Sequence, residues 1–575
     1  MYKSTLNIIS AIFFFFVGAS ALSAKELPSI INYQSAHHPV VAEKGMVVTR
    51  QYLASRVGRD ILQQGGNAVD AAIATGFALA VVLPVAGNIG GGGFMLVHIA
   101  ETGETIAIDY REMAPALAHK DMYLDAQGNV DKQKARFSYL SVGVPGTVAG
   151  FELAHKKYGK LPWSKLVEPA IQLAEQGFYV NWDLATKLDR RKQHLSKHDA
   201  SRKVFYKEDG SSYKLGETLV QKDLAWSLKQ IKKQGAKAFY QGEIAQKLIA
   251  DMKNNGGIIS ADDLVSYQPK IRSVVKGTYR GHDIVTMPLP SSGGIHIIQM
   301  LNILEHFPLS EYHANSANSI HLMAESMKYA YADRSKHLGD SDFYQAPVEW
   351  LVSKDYAKNL AKKISLDKVT PSTSIFPGVA PVPESPETTH FSVVDQWGNA
   401  VSNTYTLNFS FGTGLIAEGT GILLNNEMDD FSAKAGVPNA YGLIGGEANA
   451  IEAFKRPLSS MTPTMVFKDG KLKLLTGSPG GSRIINAVLQ TIVNVIDFDM
   501  NIAAATHSPR FHHQWLPDTL FVEPELSSDT IRLLEGMGYQ VKETGTIGAT
   551  QSIQVADYIY GSADPRRPNA EAAGY

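Results

Sequence analysis

A layered α/β fold, with helices packed against β-sheets, is predicted by three features of the sequence. The first is an almost wholly apolar helix that starts near Asn67, runs through Ala71-Ala72-Ile73-Ala74 to Val82-Leu83 and stops before Pro84 and Gly87. Apolar on every side yet firmly stopped, it belongs between layers of a core rather than across a bilayer. The second is a hairpin, 94–100 returning as 106–111 through Glu101-Thr102-Gly103-Glu104. The third is another hairpin, 390–395 and 400–408, around Gln396-Trp397-Gly398-Asn399. Its two natural registers put Thr406 or Leu407 opposite Thr388.

The remaining elements follow in chain order. Residues 1–24 carry one cation, Lys3, then an apolar run through Phe13-Phe14-Phe15-Phe16, then small residues ending at Ala21 and Ala24. That order is a secretory signal peptide, too short for a bilayer span and cut after Ala21 or Ala24. It predicts a periplasmic or secreted protein with no stable membrane span after its removal. Residues 46–66 read as one helix, with Leu53, Val57, Ile61 and Leu62 at helical spacing and Gly65-Gly66 at its end. Residues 187–209 are charged and read as loop. Residues 371–386, with prolines at 371, 377, 381, 383 and 386, read as an extended, accessible linker. No internal repeat is visible and no second linker of this quality interrupts the chain, so one large domain is expected.

Composition narrows the chemistry. Of 575 residues, 44% are hydrophobic, and 55 Lys and Arg stand against 56 Asp and Glu, a balance that gives no sign of a nucleic-acid partner. The complete absence of cysteine removes thiol nucleophiles, thiolate metal sites and disulfides, so covalent catalysis must use oxygen or nitrogen.

The linker runs directly into Glu387-Thr388-Thr389-His390, where regular strand begins without a cap. One explanation is that the chain is cut there. A hydroxyl on a new N-terminal residue has its own α-amine as general base, with an ordinary pKa of about 7.7–8.0. On spacing alone, a plain pair of β-formers is the favoured reading. Likewise Arg111 reads as one half of a salt bridge with Glu112 or Asp109, and Asn425-Asn426-Glu427-Met428-Asp429-Asp430 as a solvated acidic loop, with no His to complete a metal set. Gly477-Ser478-Pro479-Gly480-Gly481-Ser482 precedes an apolar helix over 484–496 and so offers amides at a helix N-terminus, where negative charge is favoured. It lacks the Lys-Ser/Thr of a P-loop, and a plain tight turn fits equally. Gly90 to Gly93 reads as close backbone packing, and His512-His513, whose side chains diverge, as structural.

Taken together, 384–395 (Glu-Ser-Pro-Glu-Thr-Thr-His-Phe-Ser-Val-Val-Asp) resembles the processing site of gamma-glutamyltranspeptidases, which are N-terminal nucleophile hydrolases. The resemblance extends to Asp109-Tyr110-Arg111-Glu112, Pro290-Ser291-Ser292-Gly293-Gly294, Ala332-Asp333-Arg334, the Asn425–Asp430 run, Arg456-Pro457-Leu458-Ser459-Ser460-Met461 and the Gly477–Arg483 run. It implies an α+β fold, a four-layer αββα sandwich, built jointly by a large fragment, 25–387, and a small one, 388–575, that remain together as a heterodimer.

It further implies that cleavage between Glu387 and Thr388 frees Thr388 as nucleophile, oriented by Thr406, with the amides of Gly480 and Gly481 as oxyanion hole. Arg111, Ser459 and Ser460 would take the α-carboxylate of a γ-glutamyl donor such as glutathione. Glu427, Asp430 and Asn408 would take its α-ammonium, and 438–450, with Tyr441, would be a lid. Acceptors would be water, amino acids or peptides, with no cofactor and no metal. Two alternatives stand beside this reading: a cephalosporin acylase acting on glutaryl groups, and an exported binding protein that neither cuts nor catalyses.

Overall fold

The computed structural model describes residues 35–376, 388–434 and 446–575. The signal segment, Glu387 and Tyr441 therefore lie outside the described residues. Two seven-stranded antiparallel sheets form the centre. One runs in the order Glu571–Gly574, Met46–Thr49, Thr389–Val394, Ala400–Thr406, Gly92–Ile99, Glu104–Tyr110, Lys270–Arg272. The other runs Val40–Ala42, Ile559–Ala563, Gln551–Val555, Lys471–Thr476, Thr464–Lys468, His282–Thr286, Val275–Tyr279. Each sheet mixes strands from before and after Thr388, so neither side of that residue holds a complete sheet.

The alternation of side chains along the first sheet defines the layers. Val47, Met95, Val97, Phe391, Val393 and Val401 face a core that contains the helices Tyr52–Gln63, Ala68–Val82, Thr147–Tyr158 and Trp163–Gln176. Val48, Phe94, Leu96, Val394 and Ala400 face a second core, shared with the other sheet and with the helices Gly293–Leu304, Ala317–His337 and Arg483–Ile496. Helices, sheet, sheet and helices thus stack as the expected αββα sandwich. The apolar helix Ala68–Val82 is buried along its whole length. Asn67 caps it with a reciprocal bond to Asp70, and the Asp395 carboxylate accepts from Ala68 N at 2.9 Å, which ties the 395–399 turn to the helix start.

Three expectations are corrected. Residues 46–66 are not one helix: Met46–Thr49 is a strand, buried throughout and paired on both edges, and the helix is Tyr52–Gln63, capped by Gln51. The β-branched Val47, Val48 and Thr49 favour strand, and pairing on both sides decides it. Within 187–209 lie parts of two helices, Trp182–Leu195 and Asp199–Phe205; the charge is the solvated face of amphipathic helices that bury Leu184, Leu188, Leu195 and Phe205. The start of the proline-rich stretch is not free linker, since Ser372 and Ile375 are buried and the Trp515 indole donates to Ser372 O at 3.0 Å. Residues 377–387 lie outside the described residues.

A Cβ on Gly76, in the middle of the buried helix, would sit 2.4 Å from the Phe151 ring. Gly76→Ala should therefore lower stability by about 1–3 kcal/mol, although alanine is the better helix former. Urea denaturation of the variant checks this.

Candidate active site

The hairpin sets the position of Thr388. Thr389 pairs with Tyr405 and His390 with Thr404, so the register continued by one residue brings Thr406 opposite Thr388. The two side chains meet with Oγ1 atoms 3.4 Å apart. Thr406 Oγ1 also accepts from Asn408 N at 2.8 Å, and its carbonyl accepts from Asn88 Nδ2 at 2.9 Å. Thr388 is buried, 4% exposed, at the wall of a small cavity.

Opposite it, the cavity is lined by Arg111, Glu427 and Asp430, by Ser459 and Ser460, and by Asn408 and Gly481. A buried ion pair brings these segments together: Asp109 binds Arg456 at 2.6 Å, which lays the 456–461 stretch beside the end of the strand Glu104–Tyr110. Arg111 Nε then donates to Pro457 O at 3.2 Å. The guanidinium is fully buried and pairs with Glu427, with Asp430 at 2.5 Å and with Glu112 at 3.5 Å. Arg111 is thus a salt-bridge residue, with Glu112 as expected and with the acidic run as well, and both the arginine and that run are buried rather than at the surface.

Three carboxylates around one arginine cannot all be ionised cheaply without a second cation. Burial pushes Glu112 up to about 7 and Glu427 well above the usual carboxylate range, against the pull of Arg111. Burial by itself would lower the Arg111 pKa, yet Glu427, Asp430 and Glu112 raise it, so the guanidinium stays charged. A pocket of this kind suits a zwitterion, whose carboxylate takes the guanidinium while its ammonium takes the released carboxylates.

Gly480 and Gly481 have φ of +132° and +57°, conformations that side chains rarely adopt. They lie just before the helix Arg483–Ile496, and no backbone carbonyl among the described residues accepts from either amide. Gly481 lines the cavity, and Gly480 is its chain neighbour. Gly477, at the start of this loop, packs on the His390 imidazole, where an added Cβ would be 2.3 Å from the ring. That imidazole is held between Thr404 Oγ1 at 2.8 Å and Ser392 Oγ at 3.1 Å, and burial drops it to about 3, so it stays neutral.

Several supporting residues were not singled out from sequence. Arg334 lines the cavity although it was seen only as part of a motif. Asn425 uses its whole amide: Nδ2 donates to Gly90 O and Gly143 O at 2.9 and 2.8 Å, and Oδ1 accepts from Gly143 N and Glu427 N. The close approach at Gly90, read from its glycine run, is the other half of this arrangement, since a Cβ there would lie 2.1 Å from Leu423 O. His512 and His513 point apart as expected, toward Asn486 and Gln514 on one side and Asp518 on the other. No group of three or more His, Asp or Glu side chains among the described residues is placed to hold a metal ion.

A threonine at the head of a central strand, between two stacked sheets enclosed by helices, is the architecture of an N-terminal nucleophile hydrolase. The sequence model of the gamma-glutamyltranspeptidase family matches residues 54–574. The chain is 54% identical to the glutathione hydrolase proenzyme of Escherichia coli, over 94% of each chain, and 47% identical to that of a Pseudomonas species, over 97% and 98%. Among solved structures, a cephalosporin acylase from Bacillus halodurans shares 28% identity at a TM-score of 0.82, covering 96% of this chain and 99% of that one. A Helicobacter pylori gamma-glutamyltranspeptidase chain is 50% identical with a TM-score of 0.56, covering 58% and 95%. The chain belongs to the gamma-glutamyltranspeptidase family.

Replacing Asn425 by alanine would strand four buried backbone groups around the Glu427 loop. Asn425→Ala should cost about 2–4 kcal/mol, with Asn425→Asp no better because its carboxylate would face two carbonyls. Thermal unfolding of both variants tests this.

Proposed function

We propose that the chain is an exported precursor that cuts itself between Glu387 and Thr388 and then acts through Thr388 as a γ-glutamyl transferase and glutathione hydrolase. The observation that carries the site assignment is the meeting of Thr388 Oγ1 with Thr406 Oγ1, 3.4 Å apart, in one cavity with the Arg111, Glu427 and Asp430 ion cluster. That the chain is a glutathione hydrolase of this family follows from its 40–54% identity to glutathione hydrolase proenzymes over most of its length.

In the precursor, Thr388 Oγ1 attacks the Glu387 carbonyl carbon. The peptide nitrogen leaves as the new α-amine, an ester joins Glu387 to Thr388, and water hydrolyses it. The freed hydroxyl next attacks the γ-carbonyl of the donor while the α-amine takes its proton, and Thr406 holds the hydroxyl in line. Gly480 and Gly481 amides receive the oxyanion. Cysteinylglycine leaves from glutathione, and water or the amine of an acceptor amino acid or peptide releases the γ-glutamyl group. The donor's α-carboxylate lies on Arg111, Ser459 and Ser460, and its α-ammonium on Glu427, Asp430 and Asn408.

A glutaryl donor, as a cephalosporin acylase would take, fits less well: its carboxylate would draw Arg111 from Glu427 and Asp430 and supply no cation in return. A binding protein without catalysis does not fit membership of this enzyme family. Among the described residues no helix is long and apolar enough to cross a membrane; release into the periplasm or medium rests on the signal segment at residues 1–24. The two fragments stay joined through strands interleaved in both sheets.

Thr388→Ala should remain one uncut, inactive chain, whereas Thr388→Ser should cut more slowly, because serine lacks the methyl that restricts the hydroxyl's rotamer. Denaturing electrophoresis and sequencing of the smaller fragment, expected to begin Thr388-Thr389-His390, decide it; cutting of Thr388→Ala at that bond would overturn the mechanism.

The raised carboxyls give a pH signature. Protonation of Glu427, whose carboxyl burial holds well above the usual carboxylate range, removes negative charge that holds the ammonium, so binding is lost as pH falls. The kcat/KM for a γ-glutamyl anilide should fall more steeply as pH is lowered than that of its glutaryl analogue, which shares the α-amine titration of Thr388 but has no ammonium to hold. Parallel pH profiles for the two would contradict the assignment of Glu427.

A further inference from the structure

Arg334 stands in the last turn of the helix Ala317–His337, 5% exposed, and lines the same cavity as Thr388. Its guanidinium donates through Nε to Ser292 Oγ at 2.9 Å and through Nη2 to Ser460 Oγ at 3.3 Å. Ser292 in turn donates to Ser459 O at 2.8 Å, and its own amide donates to the same carbonyl at 2.8 Å. The helix end that carries Arg334 is held by Asp333, which accepts from Gln299 at 2.6 Å and from Tyr356 at 2.9 Å.

A serine hydroxyl has one hydrogen to give and two lone pairs to offer. At Ser459 one lone pair is taken by Met461 N–H at 3.1 Å, and at Ser460 one is taken by Arg334. A donor N–H repels the hydroxyl hydrogen it approaches, whether the donor is the Met461 amide or the Arg334 guanidinium, so each serine hydrogen is turned away from that donor and is available to a ligand in the cavity both serines line. Two neighbouring hydroxyls polarised in this way form a pair of donors, which is what a carboxylate requires. Without Arg334 the Ser460 hydroxyl would be free to rotate and to present a lone pair to the same carboxylate.

We propose that Arg334 is a positioning residue for the donor's α-carboxylate, acting through Ser460 by fixing that hydroxyl as a hydrogen-bond donor into the cavity. The proposal rests on the reading that Arg111, Ser459 and Ser460 receive an α-carboxylate. It adds a specificity device: Arg334 favours acyl donors that carry this carboxylate over donors with the same chain and ammonium but no carboxylate.

The test compares two anilide donors, γ-glutamyl and 4-aminobutanoyl, the second lacking only the α-carboxylate. It uses the cut enzyme and the variants Arg334→Gln, Ser460→Ala and their double. Arg334→Gln should lower kcat/KM for the γ-glutamyl anilide roughly ten- to hundredfold, the range for one hydrogen bond to a charged group, and leave the 4-aminobutanoyl anilide nearly unchanged. In the Ser460→Ala background the same substitution should add little, since the hydroxyl it governs is gone. Equal losses on both donors, or a full loss retained without Ser460, would mean that Arg334 merely holds the 290–293 turn to the 459–461 stretch, and would overturn the proposal. Should Arg334→Gln not be recovered folded and cut, Arg334→Lys, which keeps the charge but not the fork, serves instead, with a smaller selective loss expected in the same sense. A wild-type enzyme that does not prefer the γ-glutamyl anilide would refute the carboxylate reading itself, a result that needs no variant and is distinct from failure at Arg334.

Discussion

The pairing of Thr389–Val394 with Ala400–Thr406 is the constraint on which the rest of the structure depends. The strand that begins after Thr388 is third of seven in its sheet, bonded to a neighbour on each edge and covered on both faces. A residue at the head of such a strand has almost no backbone freedom, so the Thr388 hydroxyl is placed by the register and not by a loop. The same pairing delivers Thr406 and, after a turn through Asn408 at φ +72°, leads toward the Asn425–Asp430 segment that faces the cavity. A slip of one residue would send Thr388 to the opposite face and separate it from Thr406.

The second determinant is a charge cluster assembled from distant parts of the chain. Arg111 comes from a strand end before the proposed cut, and Glu427 and Asp430 from a short helical turn after it. They pair with one another, with the Glu427 carboxyl raised well above the usual range by burial, and Asp109, Arg456 and Asn425 hold the backbones that carry them. A zwitterionic acyl donor can replace that internal pairing with two pairings of its own.

Much of this was legible in the sequence, and for identifiable reasons. The helix Ala68–Val82 and both hairpins were visible because their periodicity and stops are strong and local. The charged segments around residue 190 were misread because their helices bury only a few leucines, and Met46–Thr49 because its strand identity depends on partners more than 300 residues away. Arg111, Glu427, Asp430 and the serines were reached through resemblance and not through spacing, since nothing local distinguishes a buried acidic turn from a solvated loop. Arg334 and Asn425 went without a role for a similar reason: each acts through bonds to segments far along the chain, which a single sequence does not display.

The central claim, that the Thr388 hydroxyl carries the acyl group, is tested most directly by mass spectrometry of the enzyme quenched during turnover of a γ-glutamyl donor. The account predicts a mass increase of one γ-glutamyl group, mapped to the N-terminal peptide that begins at Thr388 and removed by an acceptor amino acid. An acyl group found on any other peptide, or turnover with no acylated species even when water and acceptors are limiting, would contradict it.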